Sequence, residues 1–134
     1  MNKNNSLEVI KDCTTYIKNH LQDTLTAESL ASRYGYSLYH FCHIFKICCD
    51  MSPGKYIRLL RLEKAKKDIL SGMSITQAGF DNGFETSSGF SKAFRKEYGI
   101  SAREYLKQNK ESEVLIMLHV EIKALRSQTA LGYE

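Results

Sequence analysis

Residues 30–57 read LASRYGYSLYHFCHIFKICCDMSPGKYI, and residues 78–105 read AGFDNGFETSSGFSKAFRKEYGISAREY. The second stretch repeats the first. At an offset of 49, Phe41 matches Phe90, Phe45 matches Phe94, and Lys46 matches Arg95. Met51 matches Ile100, Ser52 matches Ser101, and Tyr56 matches Tyr105. Upstream the offset is 48: Leu25-Thr26 matches Met73-Ser74, Ala31 matches Gly79, and Gly35-Tyr36 matches Gly83-Phe84. The second copy therefore carries one extra residue after its Gly-aromatic pair. A repeat of this length is one supersecondary unit used twice.

Each copy predicts helix, tight turn, helix. Thr26 and Ser74 are N-cap residues for the first helix of their copies, with Glu28 in the first turn of the earlier one. Leu30, Ala31 and Tyr34 keep helical spacing before Gly35 ends the helix, and Ser37 caps the next. In the second copy Ile75, Ala78 and Gly79 face inward and Gly83 breaks the helix. A short helix, a glycine turn and a second helix make a helix-turn-helix. The glycine inside the first helix of the second copy costs about 0.5–1 kcal/mol against alanine, which predicts a less stable second unit.

The second helix of each copy divides into two faces. Leu38, Phe41, Ile44 and Phe45 form an apolar stripe in the first, and Phe90, Ala93 and Phe94 in the second. Both stripes are read as core. The opposite faces carry Tyr39, Cys42, His43 and Lys46 in the first copy and Ser88, Ser91, Lys92 and Arg95 in the second. Tyr, Cys and His together are unusual on a solvated face, which points to contact with a partner.

Between the copies, Ser52-Pro53 is a strong helix start, serine at the N-cap and proline in the first turn. The connecting helix that follows has Tyr56, Ile57, Leu60, Ala65, Ile69 and Leu70 as its apolar positions, and Gly72 stops it. An opening helix near Leu7–Leu21 packs Ile10, Cys13, Ile17 and Leu21 on the first unit. The expected fold is all-α, with two homeodomain-like helix-turn-helix subdomains joined by a long linker helix. Its parts are residues 1–52, the linker 53–71, residues 72–109, and a tail at 110–134 that ends the chain as a short strand or a loose segment. In the tail Val114, Ile116, Leu118, Val120 and Ile122 alternate as in a strand, while Leu115, Leu118, Ile122 and Leu125 also suit a helix.

Composition sets the class. The 134 residues are 43% hydrophobic and 25% charged, a globular balance. No apolar run is long enough to span a bilayer, and MNKNNSLEV at the start lacks a signal-peptide core, so a soluble cytoplasmic protein is expected. The net charge of +4 is concentrated early: residues 1–70 hold eleven Lys/Arg against seven Asp/Glu, and residues 110–134 three against four. The four cysteines have no secretory context and read as free thiols. His40, Cys42, His43, Cys48 and Cys49 fall within ten residues and raise a metal- or redox-sensing regulator as the rival reading. Their spacing matches no zinc motif, and no cofactor or metal is expected. No Ser-His-Asp arrangement, phosphate-cradling glycine loop or carboxylate pair stands out, so the chain is not expected to be an enzyme.

In order, Leu30-Ala31, Gly35-Tyr36-Ser37, Phe41, Phe45-Lys46, Met51-Ser52-Pro53 and Tyr56-Ile57, then Gly83-Phe84, Phe90, Phe94-Arg95, Gly99-Ile100-Ser101 and Tyr105, resemble the paired motifs of the AraC/XylS family of bacterial transcription regulators. The resemblance covers about residues 7–108. It departs from the family pattern at Asp50 and Gly79, at Ala102 in place of a common proline, and at His43 in place of a frequent arginine. It implies a sequence-specific DNA-binding regulator, an activator acting on double-stranded promoter DNA in the bacterial nucleoid, with two recognition helices in adjacent major grooves and RNA polymerase as a protein partner. Carried onto this chain, the base-contacting positions are Tyr39, Cys42, His43, Ser87, Ser88 and Lys92, with Thr86 nearby. Ser37, Lys46, Lys55, Ser91 and Arg95 are assigned to phosphate. Residues 120–134 also resemble the opening strand of a GyrI-like effector-binding domain, which implies a small-molecule effector acting through a C-terminal domain that is missing or cut short here. From the charge distribution, the first unit is expected to supply more of the electrostatic grip, through Lys46 and Lys55, than the second through Arg95 and Lys96.

Overall fold

The computed structural model describes residues 3–109, with side chains from residue 5 onward. The tail at 110–134, with its strand reading and the effector-domain resemblance, lies outside the described residues. In order the elements are α1 (Lys3–Asn19), α2 (Ala27–Arg33), α3 (Leu38–Cys49), α4 (Pro53–Leu70), α5 (Ile75–Asp81) and α6 (Ser87–Tyr98). A further helix, α7, runs over 102–109 to the end of the described residues.

The helix starts follow from capping chemistry. The hydroxyls of Thr26, Ser37, Ser52 and Ser74 each accept a hydrogen bond from a backbone N–H in the first turn of α2, α3, α4 and α5. Thr26 and Ser29 form a reciprocal capping box. Gly35 (φ 75°) and Gly83 (φ 91°) open the two turns in the left-handed region, where a Cβ is costly. Asp50 takes the same region (φ 60°) after α3, where Gly99 (φ 78°) stands after α6. The opening helix begins and ends earlier than the apolar spacing predicts. The His20 ring bonds the Tyr16 carbonyl at 2.7 Å and the chain turns there, yet Leu21 stays buried just beyond the helix.

Two cores result. The first joins Ile10, Cys13 and Ile17 of α1 to Leu30 and Ala31 of α2, Phe41, Ile44 and Phe45 of α3, and Ile57 of α4. The second joins Leu62, Ala65 and Ile69 of α4 to Ala78 of α5, Phe90 and Phe94 of α6, and Ala102 of α7. At about 100° per residue, the Tyr56–Ile57–Leu60 stripe and the Leu62–Ala65–Ile69 stripe lie on roughly opposite sides of α4. The linker is therefore also the first helix of the second unit. Leu62, which is not among the apolar positions expected along α4, is 1% exposed, whereas Leu70, which is among them, is 37% exposed. Leu38 is likewise exposed (43%), because it sits in the first turn of α3, beyond the end of the core.

The repeat extends to packing. Tyr56 meets Phe45 edge-on at 5.4 Å, and Tyr105 meets Phe94 edge-on at 5.8 Å. In the first unit the Tyr34 hydroxyl, at the end of α2, donates to Asp12 of α1 at 2.7 Å. In the second the Asn82 amide, at the end of α5, donates to Asp68 of α4 at 2.9 Å. Each unit thus ties its middle helix back to its first through one carboxylate. Gly79 is not a flaw in α5. A Cβ there would stand 2.9 Å from Cδ2 of Phe90, so the missing methyl group lets α5 and α6 approach closely.

Candidate nucleic-acid interface

α3 and α6 present their polar faces to solvent because their apolar faces are used up by the two cores. On α3 the Tyr39 ring is 82% exposed and lies parallel to the His43 ring, with centroids 6.2 Å apart. Lys46 continues this exposed face. Ile47, 70% exposed and one turn beyond His43, belongs to it as well. A lone isoleucine carries no polar signal in the sequence; only its i+4 spacing from His43 places Ile47 on this face. Cys42 is only half-buried and packs against the first core, so it sits at the edge of the face.

On α6 the residues Ser87, Ser88, Ser91, Lys92 and Arg95 are all exposed. Thr86 immediately precedes the helix, and its hydroxyl accepts from the Gly89 N–H at 2.9 Å. Ser37 holds the same place before α3, accepting from the His40 N–H at 3.2 Å. Both hydroxyls spend an acceptor site on the cap and keep an O–H to donate outward. The extra residue of the second copy is Glu85, between Phe84 and the Thr86 cap; in the first, Tyr36 adjoins Ser37 directly.

Four cations gather in one place. A groove of about 410 Å³ between α4 and α6 is lined by Lys55 and Arg58 on one side and by Lys92 and Lys96 on the other, with Leu62 and Ala93 at its base and Glu97 beside it. Four positive groups against one negative make this an anion-facing surface. A second cleft brings Ser87 and Ser91 beside Thr76 and Arg103. Arg58, Arg103 and Thr76 are not marked as contact residues by the sequence pattern, and Lys96 is marked only by its charge; they come beside the other candidates only when α4, α5, α6 and α7 are packed. Among the described residues no three His, Cys, Asp or Glu side chains are placed to hold a metal ion, so His40, Cys42, His43, Cys48 and Cys49 do not assemble into a site. Among the same residues no helix is long and apolar enough to cross a membrane.

Comparison with known proteins agrees with this layout. A family model described as "Helix-turn-helix domain" matches residues 30–108. The HTH-type transcriptional activator RhaS of Escherichia fergusonii is 31% identical over 100 residues, covering 74% of this chain and 36% of RhaS. The chain thus spans about a third of the length of relatives such as RhaS. A crystal structure of a transcriptional regulator from Chromobacterium violaceum, described as AraC-type DNA-binding domain-containing, superposes with a TM-score of 0.70 at 26% identity. It covers 78% of this chain and 94% of that one. The DNA-binding domain of AdpA, solved in complex with a target DNA, shares the fold at a TM-score of 0.73 and 19% identity, covering 77% of this chain and 94% of its own.

Proposed function

The chain belongs to the AraC-type helix-turn-helix family, and from that premise we propose that it is a sequence-specific DNA-binding regulator of transcription. α3 and α6 are the reading helices, and they enter successive major grooves of one promoter site. The observation that carries this reading is the duplication in three dimensions: two helix-turn-helix pairs, α2–α3 and α5–α6, each exposing the polar face of its second helix, packed on opposite sides of α4. That helix has 18 residues, a length of about 27 Å at 1.5 Å per residue. Successive major-groove faces lie about 34 Å apart along B-DNA, a separation a connector of this size can serve.

Phosphate contacts position such a protein and base contacts specify its site. Lys46, Lys55 and Arg95, with the outward hydroxyls of Ser37 and Ser91, hold phosphates. Arg58, Lys96 and Arg103 join them through the groove and the cleft they line. Tyr39 and His43 on α3, with Cys42 at their edge, face base edges, as do Thr86, Ser87, Ser88 and Lys92 at the start of α6. Lys92 is assigned to a guanine O6/N7 edge, and the Tyr39 ring to a thymine methyl. RNA polymerase is the protein partner we assign to this function. A small-molecule effector would act through a domain that begins in the segment after residue 109. The site of action is the cytoplasm, on the nucleoid.

Selection of binding sites from a random DNA pool with the full chain tests the reading. An asymmetric two-part motif is expected, because the Tyr39/His43 face and the Ser88/Lys92 face differ chemically. Salt-sensitive binding with no enriched motif would overturn sequence specificity. On the enriched site, Lys92→Ala is expected to cost about 1–3 kcal/mol and to relax preference at one base pair. A uniform loss on every sequence would reassign Lys92 to phosphate.

A further inference from the structure

Arg61 lies near the middle of α4, between the stripe that serves the first core and the stripe that serves the second. Its Nε–H donates to the Leu21 carbonyl at 3.0 Å, and its terminal nitrogen donates to the Asp23 carbonyl at 2.8 Å. Both acceptors belong to the turn between α1 and α2, about forty residues earlier. They follow the C-terminal end of the 17-residue α1, where the helix dipole favours a cation. The other unit closes on the same guanidinium. A Cβ at Gly83, in the α5–α6 turn, would stand 2.6 Å from the Arg61 Nε, 2.8 Å from its Cζ and 3.0 Å from the Leu21 carbonyl oxygen. Three segments from both units therefore converge on one planar group. A lysine, a point charge on a flexible stem, does not reproduce a two-pronged bond with fixed geometry.

From this convergence we propose that Arg61 is a positioning residue for DNA reading. It locks the turn of the first unit to α4 against the turn of the second, and so sets the base-pair spacing that the two reading helices accept. The proposal rests on the DNA-reading function above. Without the lock, the first unit is held to the second through α4 packing and the bare approach of the two turns, and the angle between α3 and α6 has more freedom. One added base pair moves a half-site by about 3.4 Å and turns it by about 35°, so a rigid pair of readers rejects it and a loosened pair tolerates it.

Two measurements test this, one of which needs no DNA. Labels attached through unnatural amino acids at Ile47 on α3 and Lys96 on α6 report the distance between the reading helices. In Arg61→Met the distance distribution is expected to broaden at least twofold over the natural chain, with helicity by circular dichroism unchanged. An unchanged width overturns the proposal. Arg61→Lys, which keeps the charge and the stem, covers the case in which Arg61→Met does not fold, and it too is expected to broaden the distribution. On the selected operator, inserting one base pair between the half-sites should weaken the natural chain roughly tenfold or more, and Arg61→Met less than about threefold, by the usual size of a misplaced contact. Equal penalties in both proteins overturn the proposal. If selection enriches no motif, the DNA-reading function fails instead, and the label distances still decide whether Arg61 couples the units.

Discussion

Replacing Gly79 with alanine sets two opposed effects against each other, and the structure decides the sign. In favour of alanine stands helix propensity, about 0.5–1 kcal/mol inside a helix such as α5. Against it stands the ring of Phe90. The new Cβ would lie 2.9 Å from Cδ2, 3.0 Å from Cγ and 3.2 Å from Cβ of Phe90, where carbon atoms prefer about 3.5–4.0 Å. The neighbours must therefore give by roughly half an ångström or more. Phe90 has little room to do so: it is 1% exposed and packs on Phe84 at 5.0 Å and Phe94 at 5.9 Å between ring centroids. Forcing a methyl group into a packed core costs about 1–3 kcal/mol. The balance is a loss of about 1 kcal/mol, or roughly 3–5 °C in melting temperature for a chain of this size. Calorimetry or urea denaturation of the full chain measures it. A rise in melting temperature would refute the reasoning and restore Gly79 to an ordinary propensity defect.

Other consequences are as direct. Asp50→Gly relieves a left-handed residue of its steric cost, part of which the looser unfolded chain takes back, for an expected gain of up to about 1 kcal/mol in denaturation; a loss would mean that the Asp50 side chain contributes something the backbone geometry does not reveal. With a thiol reagent under native conditions, the exposed Cys48 is expected to react promptly and Cys13 to stay silent until unfolding, because burial, helped by the neighbouring Cys49 and Asp12, pushes the Cys13 thiol up to about 12. The Glu63 carboxyl is held below its ordinary value of 4.5, chiefly by the hydrogen bond from the Tyr98 hydroxyl at 2.7 Å and then by Lys66. The stabilisation is present in full above the ordinary value of 4.5 and is lost as pH falls below it and through the lower folded value. The stability difference between the natural chain and Tyr98→Phe should thus shrink from neutral pH into the acid range, and a difference independent of pH would refute the role of that bond.

Much of this was legible in the residues, for reasons that also mark where legibility stops. Caps are local, so Thr26, Ser37, Ser52 and Ser74 could be read from their neighbours, and all four accept the expected backbone bonds. The Phe41/Phe45 and Phe90/Phe94 pairs sit on helices that face one core each, and a single stripe describes them. α4 faces two cores, so its apolar residues spread around the helix and no one stripe includes Leu62. Arg61 was illegible for another reason. Its partners are backbone carbonyls, which every sequence has, so nothing in the side-chain pattern marks the contact. Gly79 looked like a cost because propensity is a property of one helix, whereas its value lies in the distance to a second.

The expected imbalance of charge between the units turns on the same point. Counting along the chain put Lys55 with the first unit and gave that unit the stronger grip. In the fold, Lys55 and Arg58 leave α4 on the side of Leu62 and share a groove with Lys92 and Lys96 of α6. Charge that precedes the second unit in sequence therefore stands beside its reading helix in space. α3 keeps Lys46 on its exposed face, next to Tyr39, His43 and Ile47. On this geometry Lys46 is the one cation among the rings and the isoleucine of the exposed α3 face, and the α6 flank groups four cations around one groove. The order of residues places Lys55 and Arg58 with the first unit, whereas the fold sets them beside α6. We therefore propose that the larger electrostatic share of DNA binding falls to the second unit, to be read as a greater loss of affinity on removing Arg58 and Lys96 than on removing Lys46.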